Sequence, residues 1–168
     1  MPLLEISQLT KEFDGVTALQ DVGFDLREGE ILGVIGPNGA GKTTLFNCIT
    51  GMISPTRGTI RYQGEAIQGK KPFEIARRGI GRTFQIVRPF PTLALTDNVL
   101  VALGHRHYPT LRRSVEPFRS AANCLAADAL LDRVGLGAER NRLAGTLPLG
   151  HKKRLEIARA LALEPKLL

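Results

Sequence analysis

Eight consecutive residues constrain this chain more than any others: Gly36-Pro37-Asn38-Gly39-Ala40-Gly41-Lys42-Thr43. They satisfy G-x-x-x-x-G-K-[ST] with no position missing. Before them, Ile31-Leu32-Gly33-Val34-Ile35 is a short apolar run that reads as a strand buried on both faces, as in a parallel sheet. After them, a helix is predicted over 43–50, closed by Gly51, where a left-handed residue is favoured. Strand, glycine-rich turn and helix in that order aim backbone N–H groups and a positive helix end at one point. Lys42 adds an ammonium charge for β- and γ-phosphates, and the Thr43 hydroxyl is an oxygen ligand suited to Mg²⁺. The bland alternative is a glycine-rich turn with an exposed lysine. It leaves the placement between an apolar strand pattern and a helix unexplained.

Composition narrows the class. The 168 residues are 43% hydrophobic and 23% charged, which excludes overall disorder and suits one domain. No apolar run approaches the roughly 20 residues of a membrane-spanning helix. The start, Met1-Pro2-Leu3-Leu4-Glu5, has no basic segment or cleavage site, so no signal peptide is expected. Cys48 and Cys124 form neither a metal spacing nor a disulfide framework. A soluble, globular, cytoplasmic chain is the expectation. Lys and Arg number 23 against 16 Asp and Glu, so the formal charge is +7. The excess is late, at Arg112, Arg113, Arg119, Arg133, Arg140, Arg142, Lys152, Lys153 and Arg154, and is not interleaved with aromatics. That favours a solvated or anion-facing surface over a nucleic-acid footprint.

Patterning predicts strands at 4–7, 22–26, 59–62 and 80–84, and a helix opened by Pro72 and running to 78. Thr96 reads as the cap of a helix over 97–103. Cys124, Ala127, Leu131 and Val134 mark one face of another helix, ending at Gly135. Residues 86–146 read as a helical subdomain inserted into an α/β core. A turn at 147–150 then leads into a helix over 151–163, broken before Pro165.

Beyond the phosphate-loop motif lie Leu9-Thr10-Lys11-Glu12-Phe13, Thr83-Phe84-Gln85, and Leu147-Pro148-Leu149-Gly150-His151, the last followed by Lys152-Lys153-Arg154-Leu155-Glu156-Ile157-Ala158-Arg159-Ala160-Leu161. On these segments the chain resembles the ATP-binding domain of ABC transporters along essentially its whole length. Gly79-Ile80-Gly81-Arg82-Thr83-Phe84-Gln85 and Phe90-Pro91-Thr92-Leu93-Ala94-Leu95-Thr96-Asp97-Asn98-Val99-Leu100 are most similar to the ATP-binding subunits of branched-chain amino acid importers. The resemblance implies an α/β fold: a P-loop NTPase (RecA-like) core with an N-terminal antiparallel β subdomain and an inserted helical subdomain. It would be one partial domain over 1–168. Residues 1–85 would form the β subdomain and P-loop core, 86–146 the helical subdomain, and 147–168 the signature turn, its helix and the start of the Walker B strand.

The resemblance also implies roles. Gly36, Pro37, Asn38, Gly39, Ala40, Gly41, Lys42, Thr43 and Thr44 hold the ATP phosphates; Phe13 stacks on adenine, its alternative being an ordinary core phenylalanine. Thr43 and Gln85 reach Mg²⁺, and Gln85 positions the attacking water, which an amide can do through either of its ends. Leu147, Pro148, Leu149, Gly150 and His151 form the signature turn that meets the ATP of a second subunit. Two positions depart from the family: Pro148 stands where Ser is usual, and His151 where Gln is common. Losing the hydroxyl removes a phosphate hydrogen bond, so Gly150, the helix end and His151 must serve. His105 and His107 read as surface residues, since no carboxylate or cysteine stands at metal spacing.

The family pattern next requires a strand ending in Asp-Glu, a loop Asp and a switch His. Glu164-Pro165-Lys166-Leu167-Leu168 resembles the start of that strand. A truncated form is therefore expected, with negligible ATP hydrolysis by itself, an unpaired apolar edge at 31–35, and a positive charge that the complete sequence would lower. The implied function is the ATP-hydrolysing subunit of an importer at the cytoplasmic face of the inner membrane. Its partners would be a second ATP-binding subunit (identical or paralogous) and permease subunits, with a periplasmic binding protein engaged indirectly. No nucleic acid is expected. Two other readings stay open at this point: a soluble ABC ATPase acting on nucleic acid or ribosomes, and a non-catalytic nucleotide-binding fragment.

Overall fold

The computed structural model describes residues 1–84, 87–107 and 119–168, the side chains of 105–107 excepted. It comprises two compact units, Met1–Ala76 and Arg77–Leu168.

The first unit is built on an antiparallel sheet of order β2-β1-β3-β4. Strands β1 (Leu4–Phe13) and β2 (Val16–Leu26) form a hairpin. Asp14 and Gly15 between them have φ of 42° and 86°, the left-handed pair that a tight two-residue turn needs to match strand twist. Strand β3 (Arg57–Tyr62) pairs with β1 through Ile6↔Ile60 and Leu4↔Tyr62, so four buried side chains share one face. A second left-handed pair, Gln63-Gly64, turns the chain into the short β4 (Glu65–Ala66). Helix α1 (Lys42–Ile49) buries Leu45, Cys48 and Ile49. Gly51 follows it at φ 72°, where a Cβ would strike the Lys70 carbonyl and the Ile75 side chain of α2 (Pro72–Arg77). The predicted glycine stop is therefore both a conformational and a packing requirement.

The second unit packs α3 (Leu95–His107), α4 (Ala121–Arg133) and α5 (Leu149–Leu161) around Val99, Leu103, Ala127, Leu131, Leu155 and Ala158, all buried. Ser120 caps α4 by accepting the Asn123 N–H at 3.2 Å, and Gly135 ends its C-terminal turn at φ 72°. Short 3₁₀ turns at Gly137–Glu139 and Ala144–Thr146 lead into α5.

Several expectations are corrected. Residues 31–35 are not a strand; Ile31 and Ile35 are 97% and 96% exposed. No described strand lies alongside to complete their backbone hydrogen bonds, and a strand exists only through its neighbour. Residues 80–84 are likewise not a strand. A single parallel bridge, Ile80↔Leu167, marks where pairing begins, with Gly81 N–H donating to the Leu167 carbonyl at 2.8 Å. Thr96 does not cap α3. It lies buried inside the first turn, and its hydroxyl donates to Asp128 Oδ1 of α4 at 2.8 Å, a tertiary partner that outcompetes the local one. Helix α5 begins two residues earlier than predicted, so Gly150 lies in its first turn rather than ahead of it.

Because Ile31 and Ile35 face solvent, Ile31→Lys and Ile35→Lys should each change the unfolding free energy by no more than about 0.5 kcal/mol. Urea denaturation checks this. A loss above about 2 kcal/mol for either variant would show that the side chain is buried in a core.

Candidate nucleotide-binding site

The glycine-rich loop owes its seat to Gly41. This residue is the N-cap of α1 at φ 80°, and a Cβ there would run into the Ala18 carbonyl oxygen and lie 2.9 Å from Leu19 Cδ2 of β2. Only glycine satisfies both the backbone angle and the contact. The loop before it, 36–40, is exposed, with Gly39 at φ 85° and the Ala40 N–H donating to the Pro37 carbonyl at 3.3 Å. Thr43 and Thr44 stand in the first turn of α1, where backbone N–H groups have no intrahelical acceptor. No side chain caps that end and no acidic residue lies in its first turn. Lys42 Nζ reaches the Gly36 and Pro37 carbonyl oxygens, each at 2.6 Å, so its ammonium charge is held over the loop. Donors, helix pole and ammonium converge with nothing negative among them, which fits a polyphosphate.

The β1–β2 hairpin extends this site. Gly41 packs on Ala18–Leu19, and two residues toward the turn Val16 pairs with Phe13. At about 3.3 Å per strand residue, the Phe13 ring stands within roughly 7 Å along the strand of the loop's seat. Phe13 is 43% exposed and Val16 68% exposed, so the ring is a surface plate rather than a core residue.

In the second unit, Leu147 is buried in the helical core while Pro148, Leu149 and Gly150 are exposed. Pro148 is the N-cap of α5 and provides no capping hydrogen bond; the first turn has no acidic residue. A Cβ on Gly150 would meet nothing within 4 Å, so its own chain does not require glycine there. His151 Nδ1 lies 2.8 Å from Glu139 Oε1, and Glu139 also pairs with Arg142 at 2.9 Å. Arg142 in turn donates to the Thr146 hydroxyl and carbonyl oxygens at 3.0 and 3.1 Å, bracing the approach to the turn.

A family model described as ABC transporter matches residues 19–168. The chain belongs to the ABC transporter family. The cassette is 44% identical, over 99% of its length, to the high-affinity branched-chain amino acid transport ATP-binding protein BraF of Pseudomonas aeruginosa. It is 40% identical over the same share to the corresponding protein LivG of Escherichia coli K12. It spans 68% of the length of each. Among solved structures, it matches an ATP-binding cassette of an ABC transporter at a TM-score of 0.84 and 31% identity, covering 98% of this chain and 66% of that one. A dimeric ATP-binding cassette bound to ADP and Pi matches at 0.82 and 25% identity, covering 96% of this chain and 70% of that one. The fold is therefore the α/β P-loop NTPase fold of ABC ATPases, with its antiparallel sheet and its helices.

Gln85 lies outside the described residues, as do the side chains of His105 and His107. The cassette nevertheless reveals residues on either side of Gln85 that sequence reasoning missed. Glu156 on α5, only 9% exposed, accepts the Phe84 N–H at 2.7 Å. One turn on, Arg159 donates to the Arg88 carbonyl at 3.1 Å and lies 5.1 Å from the Phe90 ring centroid. Burial pulls the Arg159 guanidinium below its usual value, and Glu156 opposes that pull. The helix that begins at the signature turn thus grips the chain at Phe84 and again at Arg88 and Phe90. A Glu and an Arg three apart, beside the buried Leu155 and Ala158, were the available signal. On the other side of the same stretch, buried Asn98 of α3 accepts the Phe90 N–H at 2.9 Å and donates to the Phe90, Leu93 and Ala94 carbonyls.

Glu156→Ala strands a partly buried N–H and should lower the unfolding free energy by about 1–3 kcal/mol. Glu156→Gln, whose amide oxygen still accepts, should lose less. Equal losses in urea titrations would show that charge, not the Phe84 contact, matters.

Proposed function

We propose that this cassette is the ATP-binding part of an importer subunit that couples ATP binding and hydrolysis to uptake of branched-chain amino acids. The observation that carries the proposal is the uncapped positive end of α1 with Lys42 over it, in a chain whose relatives are named for that transport. Gly36, Asn38, Gly39, Ala40 and Gly41 give backbone N–H donors to the phosphates, and Pro37, which has no N–H, shapes the loop that presents them. Lys42 exchanges two carbonyl partners for phosphate oxygens, a stronger charge-assisted pairing. Thr43 supplies the hydroxyl ligand for Mg²⁺, while Gln85 is the second protein ligand and orients the attacking water. Among the described residues, no cluster of three His, Cys, Asp or Glu side chains could hold a metal ion by itself. Phe13 presents its ring to the base.

Pro148, Leu149, Gly150 and His151 face the γ-phosphate of an ATP held by a second subunit, identical or paralogous. The open space over Gly150, where a Cβ would meet nothing within 4 Å, leaves room for that approach. ATP then binds the closed pair better than the open one, and that difference drives the permease subunits bound near 86–104. The protein works at the cytoplasmic face of the inner membrane, and a periplasmic binding protein delivers the substrate. Substrate identity rests on similarity alone, because substrate touches none of these residues.

Sedimentation velocity tests the reading. Mg²⁺-ATP should drive the wild-type chain toward dimer. Gly150→Ala should abolish that shift while its melting temperature stays level or rises, since alanine suits a helix better. Unchanged dimerisation of Gly150→Ala, or no shift of the wild-type chain with Mg²⁺-ATP, would contradict it.

A further inference from the structure

The Phe13 ring already carries a cation. Lys11 Nζ lies 4.8 Å from its centroid, and the two residues, i and i+2 on β1, share a sheet face. Lys11 is also the cross-strand partner of Leu19, the residue whose Cδ2 would lie 2.9 Å from a Cβ on Gly41. Its charge reaches α1 as well: burial pushes the Cys48 thiol up, and Lys11 opposes that rise. Lys11 therefore stands between the seat of the phosphate loop and the aromatic plate, tied to both. An ammonium on one face of a half-exposed ring restricts the ring's rotation. It leaves the opposite face as the one available for stacking.

We propose that Lys11 is a positioning residue that fixes the Phe13 ring for a purine base and so favours a nucleoside triphosphate over bare polyphosphate. This deepens the reading of Phe13 as the adenine platform and rests on it. The ammonium withdraws electron density from the ring face it covers, which also strengthens a stack with an electron-rich base on the other side. No phosphate contact by Lys11 is involved, so its effect should vanish when the ligand has no base.

Calorimetric titration of the chain with Mg²⁺-ATP and with Mg²⁺-tripolyphosphate separates the possibilities. Lys11→Met should weaken ATP binding about two- to fivefold, the range of an exposed cation–π contact, and leave tripolyphosphate unchanged. Lys11→Arg should retain wild-type ATP affinity. Lys11→Gln, equally neutral and more polar, repeats the test should Lys11→Met melt early. Unchanged ATP affinity in the neutral variants overturns the proposal, as does equal weakening for both ligands, which would make Lys11 a phosphate-facing charge. Phe13→Ala is the reference. If it lowers ATP affinity relative to tripolyphosphate while Lys11→Met does not, the platform stands and only the role of Lys11 falls. If Phe13→Ala leaves that ratio unchanged, the platform reading itself is overturned, and the role of Lys11 with it.

Discussion

Everything at the phosphate site depends on one backbone position, Gly41, which has no room for a side chain and a dihedral that other residues resist. By packing against Ala18–Leu19 it ties the start of α1 to the β1–β2 hairpin. That contact sets the start of the helix, with its unsatisfied N–H groups, two residues along β2 from Val16, the partner of Phe13. Lys42, the next residue, inherits its place over the loop from the same geometry. In the proposed function, charge, donors and ring would thus be arranged before any ligand arrives, which lowers the ordering cost of binding.

The second unit follows a different logic. Its signature helix is not an appendage but a wall of the helical core, through Leu155, Ala158 and Ala162. The exposed turn at its start and the grips of Glu156 and Arg159 farther along are therefore parts of one rigid element. Phe84 and Arg88 are held to that helix by direct hydrogen bonds.

The left-handed turns at Gly39 and Gly41 and the helix that follows them could be read from residue order, because glycines announce such backbone conformations. The helix stop at Gly51 and the apolar face of α4 were equally legible. The run 31–35 was misread for a physical reason: apolar character marks a strand only when a neighbouring strand completes its hydrogen bonds. The hairpin was underestimated, since the strands were drawn as 4–7 and 22–26 although Asp14-Gly15 is a strong turn signal. Thr96 was assigned a local role because Asp128, its actual partner, is 32 residues away. Glu156 was invisible for the same reason, with Phe84 lying 72 residues before it. Local chemistry was legible; long-range polar pairs were not.

The function proposed for this chain requires that the pole of α1 and Lys42 together recognise a triphosphate. Isothermal calorimetry of Mg²⁺-ATP with the wild-type chain and Lys42→Ala asks this directly. Saturable binding that weakens at least about tenfold in Lys42→Ala, the loss of one charge-assisted contact, is the predicted result. Absence of binding to the wild-type chain, or equal affinity in the variant, would contradict it.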